Sequence, residues 1–259
     1  FLVSLLVIAP GILFLVIAPG LNLGIDFTGG SSTTLELSDR VGQDRLRLEL
    51  AKLGHHNATV QKMGEKTFFV RTKELEDKKE LVEPLGEAFS GVDVGALSFD
   101  LVSPIVAAET VVNAMWAVLA AAVGIFFYVW WAFRNVPSPF RYGAAAIVAL
   151  LHDVLVVVGI FAIAGKLFDV EVNTMFLIAL LTIIGYSVND TIVIFDRIRE
   201  NILLYPNRTL SDNANISISE SLGRSLNTSL TLLFTLLTLL LFGGATVRVF
   251  LWVLMIGVV

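Results

Sequence analysis

No cysteine occurs among the 259 residues. Disulfides, thiolate zinc sites and thiol catalysis are therefore excluded, and the redox compartment is left unconstrained. Charge is also scarce, with Asp, Glu, Lys and Arg making up 16% of the chain. These residues form no basic block of the kind nucleic-acid binding requires, so no nucleic-acid partner is expected. The chain holds no GxxxxGK[ST] loop, no nucleophile elbow and no HExxH pair. No ATPase or hydrolase site is visible, and no enzyme activity is expected. Two of the three histidines, His55 and His56, are adjacent. They lack helical spacing and clustered acids, so no metal site is expected.

What the chain has instead is apolar surface. It is 56% hydrophobic, with a mean hydropathy of +0.80, more than a soluble domain of this size needs, which makes it an integral membrane protein. Six apolar runs stand out, at about 1–19, 109–133, 142–165, 172–195, 226–243 and 248–259. Each complete run reaches across a hydrocarbon core of about 30 Å. Backbone groups without water must bond within their own segment, so each run is expected to be a transmembrane helix. Pro10 and Pro19 interrupt or end the first. The chain starts at Phe1 and stops at Val259 inside apolar runs, and both ends are expected to be truncated. Residues 1–19 lack the basic start and cleavage site of a signal peptide, so they are read as the first span.

Residues 20–108 hold 14 of the 23 acids and 10 of the 18 bases, which marks them as an aqueous domain. One set of links carries Arg134, Arg141, Arg197, Arg199, Arg208 and Arg224, while the opposite set carries only Lys166 and Arg248. Cytoplasmic links are the ones rich in Lys and Arg, so residues 20–108 are expected outside, in the periplasm. Trp130 and Trp131 beside Arg134 fit an aromatic belt. Within the outer segment, alternation predicts strands at 31–37, 58–63, 66–72 and 92–101, and charged periodic stretches predict helices at 44–53 and 74–89. That β-α-β-β-α-β order is that of a ferredoxin-like unit. The expected fold is thus a mainly α-helical membrane protein of six transmembrane helices, with an α+β ferredoxin-like periplasmic domain between helices 1 and 2. Helix 1 is assigned to 1–19, the domain to 20–108, and helices 2–6 to 109–259. A polar cytoplasmic loop is expected at about 196–225, where Asn207, Asp212, Asn213 and Asn215 read as breakers. An amphipathic surface helix is expected at 216–226.

Asp190 lies near the end of the fourth apolar run. A carboxylate there costs about 2.5–3.5 kcal/mol to insert, so by default it marks an ion or proton pathway. The alternative is an interfacial acid, because Arg197 follows about 10 Å further along a helix. Arg224 also reads two ways: an anchor that snorkels to the interface, or an inward partner that stabilises the charged form of Asp190. His152 and Asp153 near the centre of the third span are either a packed polar pair or a proton relay. Asn227, Thr228, Ser229, Thr231, Thr235 and Thr238 supply an amide and hydroxyls for helix contacts or a water chain.

Four stretches together carry a resemblance: GIDFTGG at 24–30, His152-Asp153, GYSVNDTIVIFDRIREN at 185–201 and LGRSLNTSLT at 222–231. Over nearly its whole length the chain resembles the SecF family of protein-export subunits, within the resistance-nodulation-division superfamily. It departs at Leu222-Gly223-Arg224-Ser225, where Leu-Ser-Arg-Thr is the expected pattern. The resemblance implies a multi-pass protein of the bacterial cytoplasmic (inner) membrane that pairs with SecD beside the SecYEG translocon. It implies that proton flow assists late translocation of an unfolded preprotein, with the proton as coupling ion and no other cofactor. It places Asp190 and Arg224 in the proton pathway, with Asn189 and Thr191 flanking the aspartate and His152 and Asp153 as further candidates. The complementary carboxylate would lie on SecD. The competing readings are a proton-coupled small-molecule exporter of the same superfamily and a non-transporting translocon scaffold.

Overall fold

The computed structural model describes residues 2–17, 20–39, 41–56, 58–73, 75–89, 94–244 and 247–258. Pro19, expected to end the first helix, and Val92, in the expected last strand, lie outside them. The chain divides into two compact units, Leu23–Asn113 and Phe1–Asn22 with Ala114–Val259. It is mainly helical, with one four-stranded sheet among the described residues.

In the first unit a single turn of helix, α1′s successor in the chain, spans Ile25–Thr28 and opens the GIDFTGG stretch. For order, α1 denotes Leu2–Ile17 and α2 this turn. Then follow β1 (Gly30–Leu37), α3 (Gln43–Lys52), β2 (Thr59–Lys62), β3 (Thr67–Thr72), α4 (Lys79–Ala88) and β4 (Val94–Val102). The strands lie in the order β2-β3-β1-β4, and every neighbouring pair is antiparallel. Period-two alternation puts Leu35, Leu37, Val60, Phe68 and Val70 on one face. There they pack with Leu46 and Leu50 of α3 and Leu81 and Leu85 of α4 as a buried core. Against β1, strand β4 shifts register between Thr34 and Leu35, leaving Leu97 as the extra residue of a bulge.

Gly29 and Gly30 are required where they stand. Both have positive φ, 73° and 117°. A Cβ on Gly29 would come within 2.9 Å of the Pro104 backbone, and one on Gly30 within 2.7 Å of the Thr72 carbonyl oxygen. The glycine pair therefore lets the chain turn from α2 into β1 while its backbone presses against two neighbours.

The second unit is built from α1 and from α5 (Pro104–Ala132), α6 (Pro139–Phe168), α7 (Thr174–Leu204), α8 (Leu210–Phe242) and α9 (Arg248–Val258). The first turns of α5 belong to the sheet-bearing unit. Among the described residues, α5 to α8 are long and apolar enough to cross a membrane. Helices α1 and α9 have 16 and 11 residues, about 24 and 17 Å of helix. Pro139 begins α6 at a position where no N–H is needed. Asn173 caps α7 by accepting from the Phe176 N–H at 3.1 Å, and Thr209 caps α8 by accepting from the Asp212 N–H at 3.2 Å.

Glycine again sets a close approach where α1 meets α6. A Cβ on Gly11 would lie 2.6 Å from the Gly159 Cα, so the two backbones touch, as small residues allow between membrane helices. Beyond α1, the Asn22 carbonyl accepts from the Val172 N–H at 2.7 Å. That bond places Asn22 beside the α6–α7 link.

The polar loop expected at 196–225 is corrected to a helical hairpin. Helix α7 runs on to Leu204 and α8 starts at Leu210, so only 205–209 are a link. Of the expected breakers, Asn207 falls in this link, while Asp212, Asn213 and Asn215 lie in the first turns of α8; Asn213 is 2% exposed, as is Asn201 of α7. The surface helix expected at 216–226 is part of α8.

Replacing Gly30 by Ala should destabilise the sheet-bearing unit by about 1–3 kcal/mol, the usual magnitude for a strained backbone. Hydrogen exchange on the full chain is the check, with faster exchange expected at β1 and β3 amides and little change in α6–α8.

Candidate functional site

Helices α6 and α7 run antiparallel because only residues 169–173 join them. This brings mid-helix polar groups face to face. Ser187 Oγ of α7 donates to Asp153 Oδ2 of α6 at 2.6 Å, and His152 Nδ1 lies 2.9 Å from Asp153 Oδ1. The Asp153 carboxylate thus uses both oxygens. A serine hydroxyl both donates and accepts, so the trio can pass a proton along its bonds. Both side chains are part-exposed on the surface of the helical unit, at 42% for His152 and 39% for Asp153. Next to it, Leu150, Ile184 and Val188 are buried together and fix the two helices at this level.

Asp190 follows Ser187 by three residues, which puts both on one face of α7. It is half-buried, and it has no hydrogen-bond or ion-pair partner among the described residues. Thr191 is half-buried beside it and Asn189 is exposed. Arg224 is exposed on α8, and no ion pair joins it to Asp190. Of the six residues singled out by sequence, the structure joins His152 to Asp153, sets Asp190 one turn along from their serine partner, and leaves Arg224 unpaired with it.

Ser187 itself was missed as a functional residue. Its signal was available: three residues before an intramembrane acid is the same helix face.

Four of the hydroxyls singled out along α8 donate to carbonyls of their own helix. Thr228 donates to the Arg224 carbonyl at 3.0 Å, Thr235 to the Thr231 carbonyl at 3.0 Å, and Thr238 to the Phe234 carbonyl at 2.8 Å. Thr231 bonds the Asn227 carbonyl in the same way. Each side chain therefore satisfies itself on its own helix one turn back.

Between α7 and α8 a second polar network takes over. Asn201 Nδ2 donates to Ser217 Oγ at 2.9 Å and to Glu220 Oε2 at 3.0 Å. Arg197 bridges Glu220 at 2.7 Å and Glu200 at 2.5 Å. The charged run after Asp190 is thus not merely a topology anchor: it ties the hairpin together.

The chain is similar to known proteins over its whole length. A family model described as protein export membrane protein SecD/SecF, C-terminal, matches residues 82–259, and a model of the SecD/SecF GG motif matches residues 14–39. The protein translocase subunit SecF of Thermobaculum terrenum is 43% identical, over 100% of this chain and 85% of its own. That of Anaerolinea thermophila is 40% identical, over 99% of this chain and 84% of its own. The crystal structure of SecDF, a translocon-associated membrane protein from a Thermus species, superposes with a TM-score of 0.85 at 35% identity. That match covers 99% of this chain and 34% of the SecDF chain, so this chain spans about a third of its length.

Asn201→Ala removes two bonds inside the hairpin and should cost about 1–3 kcal/mol. Thr235→Val removes a bond within one helix and should cost less than about 0.5 kcal/mol. Reversible unfolding in mixed micelles, read by the loss of helical signal, separates the two.

Proposed function

This chain belongs to the SecD/SecF family of protein-export membrane proteins, and from that premise we propose that Asp190, Asp153 and Ser187 form the proton-handling half-site of a SecF-type subunit. Its role is an accessory one in Sec protein export, in partnership with SecD. The observation that carries the proton reading is the Ser187–Asp153 hydrogen bond one turn from a half-buried, unpaired Asp190 in a membrane-capable helix.

In this reading Asp190 takes a proton from water on one side and releases it to the other. Protonation removes its charge and with it the demand for a cationic partner. Arg224 modulates that charge: exposed on α8, it is free to face the SecD side in one state and Asp190 in another. Asp153, held by His152 and Ser187, relays or stores the proton next to it. Asn189 and Thr191 bracket the acid. The complementary carboxylate belongs to SecD.

Magnitudes shape the mechanism. One charge crossing 100 mV supplies about 2.3 kcal/mol, whereas swinging a two-state equilibrium from 1:99 to 99:1 takes about 5.5 kcal/mol. A single proton therefore biases a hinge, and repeated strokes are needed to move a preprotein delivered through SecYEG.

The wider architecture follows the same proposal. Helices α1 and α9 complete six spans with α5 to α8. The links bearing Arg134, Arg208 and their neighbours face the cytoplasm by the positive-inside rule. Asn22, bonded to the α6–α7 link, then faces the periplasm of a bacterial inner membrane, and the unit Leu23–Asn113 emerges there. Its strand order β2-β3-β1-β4 supports a ferredoxin-like reading.

Asp190→Asn keeps the shape and removes the titration. In inner-membrane vesicles the variant should assemble with SecD yet lose the potential-dependent stimulation of preprotein export. A well-expressed variant with undiminished stimulation would leave the subunit a scaffold and sink the proton reading.

A further inference from the structure

At the end of the helical unit where the α5–α6 and α7–α8 links come together lies a cavity of about 480 Å³. We propose that it holds one anionic phospholipid whose headgroup carries a hydroxyl. Arg141, Tyr142, Phe195, Ile198, Arg208 and Asn213 are among its lining residues.

The charge is one-sided. Two guanidinium groups line the cavity and no carboxylate does. Arg141, in the first turn of α6, has no ion-pair partner among the described residues. The Arg208 guanidinium stacks 3.9 Å from the centre of the Tyr205 ring, which holds its plane in place and leaves its donors available. The nearby Glu220 is already engaged by Arg197 and Asn201. Paired guanidinium groups match phosphate oxygens with parallel N–H donors, and basic pockets between membrane helices are where lipid headgroups settle.

A second observation points to a bound molecule. Asn213 is 2% exposed, yet its Oδ1 has no hydrogen-bond partner. An unsatisfied buried acceptor costs about 1–3 kcal/mol, and it asks for a donor that the protein does not supply. A glycerol headgroup provides that hydroxyl next to its phosphate, which a choline headgroup does not.

The rest of the wall decides between a lipid and a small free anion. Phe195, Ile198, Ile202, Leu210 and Ala214 line the cavity too, and Phe195 is anchored in an aromatic cluster with Phe133 and Tyr142 at centroid distances of 6.0 and 5.4 Å. Apolar walls gain nothing from a bare phosphate, but they do gain from the upper part of an acyl chain. The helices concerned are the membrane-capable α6, α7 and α8, so the site sits where a lipid of the surrounding leaflet can enter sideways.

Native mass spectrometry of the chain purified with its SecD partner tests this. The complex is exchanged into micelles containing phosphatidylglycerol or phosphatidylethanolamine. Wild type should retain one phosphatidylglycerol above the phosphatidylethanolamine background. Arg141→Gln with Arg208→Gln should weaken that retention at least tenfold, while Arg141→Lys with Arg208→Lys, which keeps the charge and guards against misfolding, should fall between. Millimolar inorganic phosphate should fail to displace the lipid. Equal retention by wild type and the double glutamine variant overturns the proposal. So does equal retention of the two lipids, and displacement by inorganic phosphate removes a lipid as the occupant.

Discussion

The hydrogen bond from Ser187 to Asp153 is the contact around which the helical unit makes sense. A carboxylate at mid-helix in hydrocarbon has to be satisfied by a neighbour, because water is not generally available. Asp153 on α6 finds that neighbour on α7 at 2.6 Å, and this fixes the rotation of both helices. Once α6 is so oriented, its small residues meet its other neighbours. Gly159 touches the backbone of α1 at Gly11, and a Cβ on Gly143 would press within 3.1 Å of the Phe126 ring of α5. Helix α6 therefore acts as a hub with three kinds of surface: a backbone-close glycine contact, an aromatic contact and a polar contact. Only the polar one has chemistry.

Beyond the hub, polar bonding changes its purpose along α7. At Ser187 it joins α7 to Asp153 of α6. At Asn201 it locks a buried junction to Ser217 and Glu220. Between these two anchored levels stands Asp190, half-buried and without a partner. An acid left unbonded between two well-satisfied networks is the group whose charge the local structure does least to hold, and so the one a proton or a partner subunit can most readily control. Arg224, exposed on α8, makes no ion pair with Asp190.

Much of this was legible in advance. The alternation of 31–37 and 66–72 announced the sheet, because period two survives in a unit with one buried face. Four long apolar helices, α5 to α8, were legible from length and apolarity alone. The α7–α8 hairpin was not, because Asn213 and its polar neighbours read as breakers, and nothing in sequence shows that Asn201 of α7 bonds Ser217 of α8. The GIDFTGG turn was recognisable as a motif, but its reason, backbone pressed against Thr72 and Pro104, is a tertiary fact. Asp190 and Asp153 stood out because acids are rare in apolar runs. Ser187 did not, because a single hydroxyl is too common in membrane helices to mark a site without its bond.

The central claim is that Ser187 and Asp190 share one water-accessible face of α7 while Ile184 and Val188 face the packed core. A chain without cysteine allows a direct measurement: single cysteines introduced as Ile184→Cys, Ser187→Cys, Val188→Cys and Asp190→Cys, each reacted with a membrane-impermeant thiol reagent in the SecD-containing complex. The account predicts rapid labelling at 187 and 190 and protection at 184 and 188. Protection at 190, or uniform labelling of all four positions, would contradict it.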